Sequence, residues 1–336
     1  MKLYNLNLQL FATQTTLLNA EGNDLSPEMK TFYDKNLIRE AQANLVHEQF
    51  AQKKPIPKNG GKKIEFRKFA SLPKALTALT EGVTPAGNKL SVSIIEAEVS
   101  QYGDYIEQSD VLELTAIDPT IVEATQLLGN QAGLTLDTIV RDIINSGTNV
   151  YFAPEIAADG TETEITRRAD LNNDCKLTAN LVRKIVAFLK GNNAPKIDGY
   201  YVAIIHPYVA YDLMSDPEWM EVQKYATPEN MLKGEIGKLA GCRFVESTEA
   251  KIWKDGESPA VFSTLFIGAN SYGVTEITGG GLETIIKQKG SAGTADPLNQ
   301  RSSVGWKAMR TAEILIPAYL VRCESGSSFG ATAQAN

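Results

Sequence analysis

Two histidines, three cysteines and a scatter of acidic residues are the raw material for any reaction centre in this 336-residue chain. His47-Glu48 opens the zinc-protease pattern, but position 51 is Ala, so the second imidazole ligand is missing. With His47 and His206 the sole histidines, a multi-histidine metal site is excluded. Asp170, Asn172 and Asp174 begin like a calcium loop. The sixth position, however, is Cys175 where the turn needs glycine, and the twelfth is Leu181 where the ion needs a carboxylate. Gly237-Lys238 lacks the upstream glycine and the following Ser or Thr of a phosphate loop. Gly326-Ser327-Ser328-Phe329-Gly330 matches a nucleophile elbow, yet no helix-length segment and no histidine follow it. His206, just before Pro207, has no Ser, Cys or carboxylate cluster in its own segment, so a structural role is expected for it. Cys175, Cys242 and Cys323 are far apart and odd in number, which fits neither a disulfide framework nor a metal site and points to a reducing compartment. The expectation is no catalytic, cofactor-binding or metal-ligating residues, and no cofactor.

Composition agrees with a folded, non-reactive body. The chain is 43% hydrophobic and 22% charged, ordinary for a globular protein, and its length suggests about two domains. The net charge of −7 argues against a dedicated nucleic-acid binder. No apolar run approaches membrane-spanning length, so no membrane contact is expected. The opening MKLYNLNLQLFATQ carries Lys2, but Asn5, Asn7 and Gln9 interrupt its apolar residues, which does not suit a signal peptide. Alternating Leu6, Leu8 and Leu10 suggest a short strand or a docking arm.

The elements that would position any site centre on residues 198–247. Tyr200 to Ile205 is a short, unbroken apolar run that stops at His206-Pro207, and Cys242 to Val245 is a second run entered through Gly241, as in strands buried on both faces. Between them Pro207 opens a helix carrying Val209, Ala210 and Leu213, and Asp216-Pro217 ends it. Thr178 caps a further helix with Leu181, Val182, Ile185, Val186 and Leu189, stopped at Gly191. Further strands are predicted over Val261–Ile267 and Leu282–Lys287, and in the closing segment over Ile314–Cys323. Asp159-Gly160 reads as a hairpin turn.

Other segments are too extended to cover themselves. Ser26-Pro27 starts a helix whose apolar face runs from Met29 to Val46 and fades near Gln52. Ile64 and Phe66, then Leu90, Val92, Ile94, Ala97 and Val99, lean to alternation and form the two arms of a long β-hairpin. Such a ribbon is marginal alone and needs a surface to lie on. Asp118-Pro119 opens the longest helix, ending at Asn145-Ser146-Gly147. Residues 53–74 carry a net +7 and residues 81–123 a net −8. Two solvated faces would explain this; so would a basic surface of one copy meeting an acidic surface of the next.

These residues resemble a known family. Gly199–Leu213, Asp216-Pro-Glu-Trp219, Gly234–Gly241, Arg243-Phe-Val-Glu246, Asp296–Arg301 and Val304-Gly-Trp-Lys307 look like a tailed-phage major capsid protein. The group is the one akin to the major capsid protein of phage N-four, and Asn7–Ala12 is similar to its opening.

The resemblance implies an α+β chain with the Hong Kong 97 type fold. Residues 1–60 would be the N-terminal arm and 61–104 the extended loop. Residues 105–175 and 300–326 would be the peripheral domain with its long spine helix. Residues 176–299 would be the axial α/β domain, and 327–336 a mobile tail. The implied function is self-assembly as pentamers and hexamers into an icosahedral shell around double-stranded DNA, which is contacted without sequence reading. Implied partners are other copies of the chain, a portal, and scaffold or decoration proteins. The implied place is the virion capsid, assembled in the bacterial host cytoplasm. Two alternatives stay open: an encapsulin-like nanocompartment shell, and, more remotely, an α/β enzyme.

Overall fold

A computed structural model describes Leu37, Ala41 and residues 45–57, 59, 61–69, 72–79, 81–84, 87–115, 120–157, 161–224, 236–256, 258–278, 280–291 and 296–336. The alternating leucines near the N-terminus, the helix start at Ser26-Pro27 and the Asp159-Gly160 turn lie outside the described residues.

In chain order the described strands start with β1 (Gln52–Lys53), β2 (Lys63–Phe69), β3 (Val92–Glu98) and β4 (Ser100–Ser109). Then come α1 (Asp110–Thr115) and α2 (Thr120–Asn145). Three short strands follow: β5 (Val150–Phe152), β6 (Glu155–Ile156) and β7 (Glu162–Thr163). The expected core comprises α3 (Ala179–Gly191), β8 (Tyr201–Ile205), α4 (Pro207–Met214), α5 (Pro217–Lys224), β9 (Lys238–Leu239) and β10 (Cys242–Glu246). The remaining strands are β11 (Ile252–Trp253), β12 (Val261–Ile267), β13 (Tyr272–Glu276), β14 (Glu283–Lys287), β15 (Arg301–Ile314) and β16 (Leu320–Ser325). Packing groups the chain into two units, one of residues 1–45, 101–135 and 280–309, the other of residues 46–100, 136–279 and 310–336.

In the second unit β5, β16, β12, β8, β10 and β9 lie side by side in one sheet, with β11 beside β12. β8 and β10 run parallel, and β12 pairs antiparallel with both β8 and β16. All five residues of β8 and all seven of β12 are buried. One apolar cluster joins Ala203, Ile205 and Phe266 of this sheet to Val182, Ile185 and Leu189 of α3 and Val209 and Leu213 of α4. A second joins Ile204, Leu265 and Ile267 to Val140 and Ile144 of α2 and to Tyr272, Val274 and Ala312. The capping residues behave as their chemistry requires. Thr178 accepts from the Leu181 amide, and Pro207 sits in the first turn of α4 with the His206 ring accepting from Tyr208 N. Asp216 accepts from Glu218 N at 2.9 Å and from Ala179 N at 2.9 Å, so one carboxylate serves the first turns of both α5 and α3.

The ribbon is present. β2 and β3 pair antiparallel from Lys63↔Glu98 to Phe69↔Val92. Its base is anchored where Phe66 and Ala97 pack on Leu315. The Phe66 ring lies so close to Gly273 that a Cβ there would be 2.9 Å from it, which explains a glycine inside β13.

In the first unit β14 pairs antiparallel with β15, from Glu283↔Lys307 to Lys287↔Ser303, and β4 also pairs with β15. Gly103 and Gly305 allow this approach, since a Cβ on Gly305 would fall 2.7 Å from the Tyr105 Cβ. Gln131 of α2 accepts from Trp306 Nε1 at 3.2 Å and donates to Asp104 Oδ2 at 2.6 Å. Those hydrogen bonds, from Gln131 first and then from Tyr105 N, hold the Asp104 carboxyl below its usual pKa.

Three expectations change. The helix expected to fade near Gln52 has already given way by Leu45; Gln52 and Lys53 pair instead with Gly273 and Val274 as a parallel edge strand. The closing strand is two strands, because Pro317 starts a 3₁₀ turn between Ile314 and Leu320. The last ten residues, expected as a mobile tail, are tied down. Ser328 N donates to Asp212 at 2.9 Å, Ala260 N to Ala331 O at 3.1 Å, and Ile252 N to the Asn336 side chain at 2.9 Å. Small polar residues hid this from the sequence, since the bonds run through backbone and amide groups that carry no apolar signal.

Candidate assembly surface

The two histidines and the elbow-like serine each have a structural partner. His47 and Asp137 are fully buried, with His47 Nδ1 2.6 Å from Asp137 Oδ2 and His47 N donating to Asp137 Oδ1 at 2.7 Å. The Tyr272 hydroxyl donates to the His47 carbonyl. Glu48, the would-be general base, faces Arg310, which also reaches Glu276 at 2.8 Å. His206 spends its Nδ1 as the cap of α4, and its ring packs on Tyr208 and Phe262. Burial pushes its pKa down to about 4. Ser328 of the elbow-like run donates directly to Asp212, with no imidazole between them. This holds the tail and leaves no base to activate the hydroxyl. Asn172 turns inward to Cys175 Sγ and Glu155, so it does not face an ion site. Burial pushes the thiols of Cys242 and Cys323 well above the usual range, which makes them inert. Among the described residues no group of His, Cys, Asp or Glu could hold a metal ion, and no helix is long and apolar enough to cross a membrane.

What remains unsatisfied is apolar surface. Beyond its anchored base, the ribbon and its tip present Leu72, Leu76, Leu79, Val83, Leu90, Val92 and Ile94 to solvent, with Leu76 86% and Leu79 77% exposed. Scattered exposed leucines are ordinary, but a run of them on one extended segment marks a surface made to be covered. Its flanking charges are loosely held: Lys63 reaches Glu96 at 3.6 Å and Arg67 reaches Glu65 at 3.5 Å, all solvent-exposed. Such pairs are worth at most about 1 kcal/mol, so they leave the ribbon's cations open to a partner. The first unit has its own exposed apolar residues, among them Tyr105, Val111, Leu112 and Leu127.

The alternation of β3 made its arm legible in advance. Leu72, Leu76 and Leu79 were missed because they lie in no regular strand or helix. The available signal was leucine recurring inside a stretch otherwise rich in turn formers. Asp137 was missed as the partner of His47; an acidic residue on the apolar stripe of α2, beside Leu136 and Val140, was the clue.

Comparison with known proteins gives this geometry a context. A family model described as phage capsid protein matches residues 118–281. No curated protein sequence matches the chain. Among solved structures, the capsid of cyanophage P-SCSP1u superposes with a TM-score of 0.64 at 14% identity, covering 84% of this chain and 89% of that one. The capsid of Ralstonia phage GP4 gives 0.64 at 14% identity over 85% and 89%. The capsid of Helicobacter pylori bacteriophage KHP30 gives 0.60 at 12% identity over 84% and 89%. At these identities the likeness is one of fold: an α+β fold of the Hong Kong 97 type.

Proposed function

We propose that this chain, a phage capsid protein of the Hong Kong 97 type, is the major capsid protein of a tailed phage, and that copies of it tile an icosahedral shell as pentamers and hexamers. The observation that carries this reading is the exposed run Leu72–Ile94 on a ribbon whose base alone is packed. An isolated two-stranded ribbon gains little from its own pairing. It becomes stable when a neighbour buries its apolar side chains, at about 25 cal/mol per Å². A ribbon over a neighbour also enlarges each contact beyond what compact bodies share. Stable interfaces bury about 1,200–2,000 Å² in total. Since association itself costs several kcal/mol, individual contacts can be modest while a closed shell of many contacts is durable.

The domain assignment belongs to this reading: residues 1–60 as arm, 61–104 as extended loop, 105–175 and 300–326 as peripheral domain, 176–299 as axial domain. So do double-stranded DNA as the content, held by confinement and not by sequence reading, and contact with a portal and with scaffold or decoration proteins. Assembly would take place in the bacterial host cytoplasm. The protein acts as structure, without catalysis; the engagement of His47, His206 and Ser328 in bonds that hold the fold supports that.

Deleting residues 64–100 tests the ribbon's role. The expected product is a folded, soluble body that builds no shells; normal shells from the deletion would overturn it. Extracted particle contents separate the genome reading from a nanocompartment: DNA supports the former, a protein cargo the latter.

A further inference from the structure

Two tight hairpins in the second unit stand side by side, and together they build a recess. In the first, Ile197 N donates to Tyr200 O at 2.8 Å and Tyr200 N to Ile197 O at 3.0 Å. Its two central residues, Asp198 and Gly199, have φ of 49° and 87°. In the second, Leu239↔Cys242 and Lys238↔Arg243 pair antiparallel across Ala240 and Gly241, with φ of 53° and 89°. Both are two-residue turns with positive φ at each central position, the geometry that matches strand twist and holds a hairpin rigidly. The two hairpins are joined through the parallel ladder of β8 and β10, Tyr201↔Cys242 and Val202↔Arg243.

The recess between them has a volume of about 350 Å³ and is lined by Phe50, Ile197, Asp198, Tyr200, Lys238 and Arg243, with Val202 at its base. Its charge is unusual for a folded surface. Lys238 and Arg243 are directly opposite each other on paired strands, a placement in which like charges repel. Among the described residues neither cation is held by a carboxylate, and the Lys238 ammonium rests instead 4.1 Å from the centre of the Tyr200 ring. Among the described residues Asp198 is the sole carboxylate of the lining, so the described lining carries a net positive charge. Nothing in the packing of the sheet requires two cations there, because both are exposed while the neighbouring Leu239, Cys242 and Phe244 supply the buried contacts. Two cations set opposite each other, one of them eased by the Tyr200 ring, make a placement that an anionic ligand would balance.

We propose that this recess binds a nucleotide. Its phosphate is held between the Arg243 guanidinium and the Lys238 ammonium, which a doubly charged oxyanion would bring into balance. Inorganic phosphate would fill only a fraction of the volume. Phe50, Tyr200 and Ile197 offer ring and methyl surface for a base or sugar, the pairing of cations with aromatic side chains that serves nucleotide recognition elsewhere. The Asp198 carboxylate is placed to accept from an amino or hydroxyl group of that nucleoside. A free nucleotide and the exposed end of a nucleic-acid strand both carry such a phosphate and share this chemistry. The site does not depend on shell formation, since every lining residue belongs to one unit of one copy.

The test uses the purified full-length chain and follows thermal unfolding with deoxyadenosine monophosphate, a short single-stranded oligonucleotide, inorganic phosphate, adenosine, and a peptide of residues 104–113. The variants are Arg243→Gln and Lys238→Gln, with Lys184→Gln as an exposed cation elsewhere. The nucleotide should raise the unfolding temperature more than phosphate or adenosine does, and each recess variant should weaken its binding about tenfold, as expected for a lost charge-assisted hydrogen bond. Lys184→Gln should bind like the parent chain. In the absence of ligand both recess variants should be at least as stable as the parent, because the repulsion is gone; this separates a ligand role from a folding role. A response to the oligonucleotide alone identifies the strand end as the source, and a response to both identifies the free nucleotide. Equal responses to nucleotide and inorganic phosphate would overturn the proposal, as would equal loss in Lys184→Gln. So would binding of the acidic peptide in place of the nucleotide, which would make the recess a contact for protein.

Discussion

His47 Nδ1 lies 2.6 Å from Asp137 Oδ2, with both side chains fully buried, and this pair fastens the segment before β1 to the helix α2. Asp137 also accepts from the His47 amide, so one carboxylate fixes both the ring and the backbone. Tyr272 closes the arrangement by donating to the His47 carbonyl. The consequence is mechanical. The segment at His47 is held within the second unit by a buried, directional joint, and Glu48 adds ion pairs to Arg310 and Lys53.

Removing one partner of that joint leaves the other buried without compensation. Asp137→Ala should destabilise the second unit by about 1–3 kcal/mol, the usual cost of leaving a buried hydrogen-bonding group unsatisfied. Urea unfolding of the unassembled chain measures it. A loss within about 0.5 kcal/mol, the scale of neutral surface changes, would contradict the assignment.

His206 sets a pH dependence. Burial lowers its pKa from the ordinary 6.5 to about 4, so the folded state prefers the neutral ring. Above pH 6.5 the ring is neutral folded or unfolded and the contribution is fully present. As pH falls from there to about 4 the unfolded chain takes up a proton that the folded one resists, and stability drops; below about 4 the loss levels off. His206→Asn keeps an acceptor for Tyr208 N and removes the titration. Its stability should fall less steeply across that window than the parent's. An identical slope would show that His206 does not titrate there.

Gly305 tests the close crossing of β4 and β15. A Cβ there would meet backbone, 2.9 Å from the Asp104 carbonyl, as well as the Tyr105 Cβ. Neither can swing aside as a side-chain tip would, so Gly305→Ala should cost about 1–3 kcal/mol by overpacking. The fluorescence of Trp306, which is 3% exposed, reports unfolding of that unit. Unaltered stability would mean that the strands are free to separate.

How much of this was written in the sequence depends on the kind of residue. The strands β8, β10 and β12 and the helix starts at Thr178 and Pro207 were legible because their signals are local: a run length, a spacing, a side chain beside the amide it satisfies. The strand spanning Arg301–Ile314 was not, because its burial alternates only in part and its partners β13 and β14 lie elsewhere in the chain. The joint of His47 with Asp137 was hidden for the same reason; the two are separated by 90 positions, and no spacing rule links them. The docked tail escaped because its bonds use backbone groups. The expectation of no reaction centre came from motifs that fail; His47, His206 and Ser328 each have a hydrogen-bond partner within the fold.

The ribbon tip separates folding from assembly. Leu76 and Leu79 are largely exposed, so Leu76→Asp with Leu79→Asp should leave the stability of the unassembled chain within about 0.5 kcal/mol. In a shell the same positions would bury two unpaired carboxylates against a neighbour, and particle yield should collapse. Normal yield from the double variant would remove these leucines from the interface.

The most direct measurement is negative-stain electron microscopy of the purified chain over a range of protein and salt concentrations. Closed, uniform, icosahedral particles, absent from the ribbon-tip double variant, are the predicted result. Monomers or small discrete oligomers under every condition, from parent and variant alike, would contradict the claim that this chain's extended surface is covered by other copies of itself.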